Sequence, residues 1–171
     1  MTDKILVAYA TRYGSTKEVA EKIAATLREG GAAVDVQSVE HTKSLDGYRA
    51  VVVGAPLYMF NWLKEARSFV SRHRAAMERV PVAVFALGPT EDKETDWQET
   101  RVQLTKVVAG FPWLTPVAVE LFGGKFDPGR LTFPYNLIPA LKRMPVSDIR
   151  DWDAIRTWAT GPVWKAIGGN P

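Results

Sequence analysis

The sequence contains no cysteine. That excludes a disulfide scaffold, thiolate metal sites, iron–sulfur ligation and cysteine nucleophiles, and it fits a reducing compartment. Histidine is nearly as scarce: His41 and His73 lack metal-ligand neighbours at useful spacing, so structural or surface roles are expected of them, and no metal. No uncharged apolar run approaches the ~20 residues a membrane span needs. Met1-Thr2-Asp3-Lys4 leads straight into a short apolar stretch in place of a secretion signal. These absences predict a cytoplasmic protein. A strong charge of one sign is also missing, with 22 Lys plus Arg against 19 Asp plus Glu. That small excess, without an aromatic-interleaved basic run, argues against nucleic acid as a partner.

What surplus there is sits in one place. Residues 1–60 balance at seven charges of each sign, 61–122 at eight and 148–171 at three. The whole excess of +3 falls in 123–147, where Lys125, Arg130, Lys142 and Arg143 face only Asp127. With 171 residues, 46% of them apolar, the chain is expected to form a single domain over 1–171 with a substantial core.

Short continuous apolar runs alternate with helix-spaced ones. Lys4–Ala10, Ala33–Val39, Ala50–Gly54, Val82–Leu87 and Val117–Phe122 read as five strands. Val19, Ala20, Ile23, Ala24 and Leu27 mark a first helix that opens at Gly14-Ser15-Thr16 and ends at Gly30-Gly31. Leu63, Ala66, Phe69, Val70 and Met77 trace a second long helix that Pro81 stops, and Trp97, Thr100, Leu104, Val107 and Val108 a third. Ile155, Trp158 and Ala159 place a final helix before Gly161-Pro162. Buried strands alternating with helices imply an α/β, doubly wound parallel sheet with helices on both faces. Ligands of such sheets bind at the carboxyl ends of the strands, near the switch in strand order. The stretch at about 123–150, between strand five and the last helix, is too long for an ordinary connection of ~2–6 residues and reads as an insert.

The first loop, Thr11-Arg12-Tyr13-Gly14-Ser15-Thr16, lies between a strand and a helix start. Unpaired N–H groups and the positive end of the helix dipole favour an anion there. One hydroxyl at such a place is commonly a plain N-cap. Three hydroxyls and a glycine at one junction point instead to phosphate. The three spaced glycines of a dinucleotide fingerprint and the Gly-Lys-Ser/Thr of a P-loop are both missing.

A first strand ending in T-x-x-G-x-T resembles the phosphate loop of flavodoxins. Gly54-Ala55-Pro56-Leu57-Tyr58-Met59-Phe60 stands where that family keeps its second flavin loop, and Leu87-Gly88-Pro89-Thr90 where it keeps its third. The resemblance implies a five-stranded sheet in the order 2-1-3-4-5 and bound FMN. Thr11, Arg12, Tyr13, Gly14, Ser15 and Thr16 would hold the phosphate. Pro56, Leu57, Tyr58 and Met59 would pass one face and edge of the isoalloxazine, and Leu87, Gly88, Pro89 and Thr90 the other. Tyr58 is the best candidate for ring contact, its alternative being a rim aromatic packed on the following helix. No catalytic side chain is implied, since the flavin performs the chemistry. Nearly the whole chain is similar to one branch, the quinone-dependent protoporphyrinogen oxidases. The likeness includes the Gly54–Tyr58 loop, Phe111-Pro112-Trp113, the Gly123-Gly124 insert and Asp151-Trp152-Asp153-Ala154-Ile155.

Two departures matter. Carriers of the family keep a glycine in the second loop whose peptide turns as the flavin is reduced, and Pro56-Leu57-Tyr58-Met59 offers none. A stiffer loop should favour two-electron transfer from a substrate. Glu91–Glu99 carries net −4, which would steer a basic redox partner or simply complement a helix start. In 123–147, Leu137, Ile138, Leu141 and Met144 share one face if 134–144 is helical, beside Lys142 and Arg143. Such a stretch suits peripheral contact with the anionic inner face of a membrane, where a lipid quinone is met; the alternative is a lid packed on the domain edge. Pro139 weakens the helix. Two functions follow: an FMN oxidoreductase passing electrons from a porphyrinogen or related substrate to a quinone, or a carrier shuttling electrons between redox proteins.

Overall fold

The computed structural model describes residues 3–58 and 60–168. The chain runs β1 (Lys4–Tyr9), α1 (Ser15–Glu29), β2 (Ala33–Ser38), β3 (Tyr48–Tyr58), β4 (Asn61–Trp62), α2 (Lys64–Arg72), α3 (Arg74–Met77), β5 (Val82–Leu87), α4 (Glu94–Ala109) and β6 (Ala118–Phe122). Beyond β6 come β7 (Lys125–Phe126), two short 3-10 turns, α5 (Pro139–Lys142), β8 (Ser147–Asp148) and α6 (Trp152–Trp158), then a π-helical segment at Ala159–Gly168.

Five parallel strands pair in the order β2-β1-β3-β5-β6. This is the expected 2-1-3-4-5 arrangement, since β4 is only a two-residue strand folded back antiparallel on the end of β3. Side chains alternate across the sheet and feed a core on each face. Leu6, Ala8, Val51, Val53, Val84 and Ala86 pack with Phe69 and Val70 of α2 and Leu104 of α4. Ile5, Val7, Val52, Ala83 and Phe85 pack with Val19, Ile23 and Leu27 of α1, with Trp158, and with Val163 and Ile167 of the π-helical segment.

Three sequence expectations change. The second long helix is two, because the backbone at His73 leaves helical geometry (φ −100, ψ 20) between α2 and α3. The last helix does not stop at Gly161-Pro162: it widens and continues to Gly168, since burial of Val163 and Ile167 outweighs the local breakers. Trp164 then lies so close to the end of α1 that a Cβ on Gly30 would sit 2.7 Å from its ring. Finally, 134–144 is not one helix. It is a 3-10 turn at Tyr135–Leu137 followed by the single turn α5, with Pro139 at its start, where a missing N–H costs nothing.

Candidate functional site

Three loops meet at the carboxyl ends of β1, β3 and β5. In the first, Gly14 is the residue preceding α1 and holds φ 92, a left-handed conformation that only glycine adopts freely. Its N–H donates to Thr11 Oγ1 at 2.9 Å, closing the loop on itself. No side chain caps α1, so the plain N-cap reading of Ser15 and Thr16 fails and the first-turn N–H groups stay open. Thr16 is fully buried, and its Oγ1 has no hydrogen-bond partner; the buried Tyr13 hydroxyl has none either. Leaving a buried hydroxyl unpaired costs roughly 1–3 kcal/mol. The loop is therefore shaped around donors that lack an acceptor.

The second loop is mostly strand: Pro56, Leu57 and Tyr58 complete β3, with Pro56 in register with Leu87. Met59 lies outside the described residues. Trp62 Nε1 donates to the Ala55 carbonyl at 2.9 Å and pins the β3–β4 hairpin to the core. At its tip Phe60 has φ 68 and is 78% exposed. The Arg12 guanidinium lies 4.7 Å from the centroid of the Tyr58 ring, and Tyr135 meets that ring edge-on at 5.7 Å. Burial, then the Tyr135 hydroxyl, pushes the Tyr58 phenol above its ordinary value, with Arg12 pulling the other way.

The third loop, Leu87–Thr90, is braced from behind. Gly88 N–H donates to the Phe122 carbonyl and Gly124 N–H to that of Pro89, each at 2.8 Å. A Cβ on Gly88 would meet Thr100 Cγ2 at 2.5 Å and Leu121 Cδ1 at 2.7 Å, so any side chain here would have to displace both neighbours. A cleft of about 320 Å³ beside it is lined by Leu57, Gly88, Pro89, Thr90, Asp96 and Glu99 among others. Glu94 and Asp96 occupy the first turn of α4, where negative charge complements the dipole. On the β2 side a larger cleft of about 480 Å³ runs past Thr11, Arg12, Ser38, Glu40, His41 and Glu65.

His41 Nδ1 pairs with Ser38 Oγ at 3.1 Å, while burial lowers the pKa of His73 beside the Phe69 ring. Among the described residues no group of three or more His, Asp or Glu is placed to hold a metal, and no helix is long and apolar enough to cross a membrane. Sequence reasoning missed Arg150. Its side chain, 3% exposed, bonds to Asp148 and Glu18 at 2.8 Å, and its only advance signal was a cation near the end of the insert.

A family model described as Flavodoxin domain matches residues 6–138. The chain belongs to the flavodoxin-domain family. Within reach of this family assignment, the chain is 29% identical over 167 residues to the Escherichia coli K12 protein named protoporphyrinogen IX dehydrogenase (quinone), covering 91% of this chain and 92% of that one. Among solved structures, oxidised Flavodoxin 1 from Bacillus cereus matches with a TM-score of 0.58 at 14% identity, over 94% of this chain and 97% of its own. Rubredoxin oxygen:oxidoreductase from Desulfovibrio gigas matches at 0.54 and 17% identity over 98% of this chain. The chain spans about a third of that protein's length, 35%. These structural likenesses establish the flavodoxin-like fold.

Proposed function

We propose that this chain is an FMN-dependent oxidoreductase that takes electrons from a porphyrinogen or a related organic substrate and passes them to a quinone. The observation that carries the reading is the unpartnered, fully buried Thr16 hydroxyl at an uncapped helix start, which fits a phosphate group. Thr11, Arg12, Tyr13, Gly14, Ser15 and Thr16 would hold that phosphate. Pro56, Leu57, Tyr58 and Met59 would flank one side of the flavin ring, and Leu87, Gly88, Pro89 and Thr90 the other. Bound flavin supplies the redox chemistry.

The chain's own residues orient the ring and select what approaches it. Tyr135 brings the insert against Tyr58, so the approach to the second loop is walled by a segment that a minimal carrier has no need of. The E. coli relative, a protoporphyrinogen IX dehydrogenase (quinone) by name, supports this pairing of substrate and acceptor. Phe133 and Leu137, both well exposed, with Lys142 and Arg143 nearby, give the insert an apolar and basic outer side suited to an anionic membrane where a lipid quinone resides.

The test is to purify the protein, identify its flavin, and compare turnover of protoporphyrinogen with a quinone against reduction by a ferredoxin-type reductase. Turnover with the first pair alone supports the enzyme. Rapid reduction by the reductase without porphyrinogen oxidation would replace it with the electron-carrier reading.

A further inference from the structure

The insert departs at Gly124 and returns at Arg150, and near each end an arginine reaches back to the first loop. Arg130 Nη1 donates to the Tyr13 carbonyl at 3.0 Å, and Arg150 Nη1 donates to the Ser15 carbonyl at 3.2 Å. These two carbonyls flank Gly14. Across a planar trans peptide the C=O and N–H point in opposite directions. Holding the Tyr13 and Ser15 oxygens on the insert side therefore turns the Gly14 and Thr16 N–H groups away from it. The Gly14 N–H goes to Thr11 Oγ1, whereas Thr16 also carries the unpartnered hydroxyl.

The two arginines differ in charge balance. Arg150 is buried between Asp148 and Glu18, each 2.8 Å away, so its charge is spent and it acts as a rigid strut. Arg130 is about half exposed, and Asp127 approaches its Nε only to 4.0 Å. Its guanidinium nitrogen also stands 3.8 Å from the position a Gly14 Cβ would take. It therefore delivers positive charge directly behind the anion loop.

Resting on the flavin reading above, we propose that Arg130 and Arg150 are positioning residues that make the insert part of the cofactor site. They hold the first loop in its anion-accepting form, and Arg130 adds a field that selects a phosphorylated flavin over one without phosphate. Neither bond is visible to a view of the insert as a lid alone.

The test titrates cofactor-free protein with FMN and, separately, with riboflavin, following flavin fluorescence at low and high salt. Compared are the unaltered chain, Arg130→Ala and Arg130→Lys. Loss of a hydrogen bond from a charged donor, with its charge, is expected to raise the FMN Kd about tenfold in Arg130→Ala, while the riboflavin Kd changes less than about twofold, since riboflavin has no phosphate for that charge to act on. Arg130→Lys should recover most of the FMN affinity, because charge and one donor remain. The salt dependence of FMN binding should shrink in Arg130→Ala. An unchanged ratio of FMN to riboflavin affinity, whether neither constant moves or both move together, overturns the proposal while leaving the cofactor reading intact. If the unaltered chain binds neither flavin, the cofactor reading fails and this inference falls with it.

Discussion

Arg12 and Tyr58, from loops far apart in the chain, are joined by a cation–π contact of 4.7 Å. Arg12 also lies 5.9 Å from the Tyr135 ring, so one guanidinium sits among the first loop, the second loop and the insert. Such contacts contribute about 0.5–1 kcal/mol at exposed sites. Arg12→Ala should therefore lower the unfolding free energy of the cofactor-free protein, read from urea titration, by that modest amount, with Arg12→Lys recovering part of it. Tyr58→Phe should bind flavin as the unaltered chain does, because the phenol is protonated at neutral pH and the ring provides the surface. Tyr58→Ala should weaken flavin binding about tenfold through loss of aromatic contact and buried area. Fluorescence titration of the two variants checks the pair.

Thr16→Val separates stability from binding. The substitution keeps the shape and removes a buried hydroxyl that has no partner, so the cofactor-free protein should be equally stable or more stable by about 1 kcal/mol. Affinity for FMN should fall, and affinity for riboflavin should not. A melt without ligand and a titration with each flavin give the two signs.

Phe60 pays for its position. A bulky residue at φ 68 costs about 1–2 kcal/mol, partly offset in a glycine variant by the greater freedom of the unfolded chain. Phe60→Gly should raise the unfolding free energy obtained from urea titration by up to about 1 kcal/mol, because the exposed ring has little burial to lose. The same change should weaken turnover through KM more than kcat if the ring meets substrate or quinone beside the second loop. Steady-state kinetics with each substrate varied in turn reads that split.

Acid should release the insert. Hydrogen bonds from Arg150 hold the Asp148 carboxyl below its ordinary value of 3.8, against a smaller opposing effect of burial. A carboxylate with a depressed folded pKa stabilises above its unfolded pKa, and that stability is lost as the pH falls through the folded one. Unfolding midpoints should thus decline as the pH drops below about 3.8. Asp148→Asn should flatten that decline and lower stability at neutral pH, since Arg150 would keep only Glu18 as a charged partner. Denaturant titrations from pH 7 downward measure both.

The sheet was legible because its strands are buried on both faces and so read as unbroken apolar runs; Ile5 to Ala8 have no exposed surface. The three loops at the strand ends could be located because each is contiguous in sequence and follows a buried strand. What escaped was decided by distant packing. Gly161-Pro162 reads locally as a stop, yet Val163 and Ile167 complete the core under α1. The apolar spacing of Leu137, Ile138, Leu141 and Met144 suggests one helix, but Pro139 divides it and Leu137 is left 65% exposed. Arg130 and Arg150 grip carbonyls more than a hundred residues upstream, and a backbone acceptor has no side-chain identity for a sequence pattern to reveal. Only the local charge surplus hinted that this segment had business elsewhere.

β7 and β8 pair antiparallel, Lys125 against Asp148 and Phe126 against Ser147, so the excursion begins and ends within one ladder spacing. A segment whose two ends already touch imposes no displacement on the frame it joins. The chain between Phe126 and Ser147 can therefore differ in length without moving β6 relative to α6, while Arg130 and Arg150 near its ends keep their hold on the first loop.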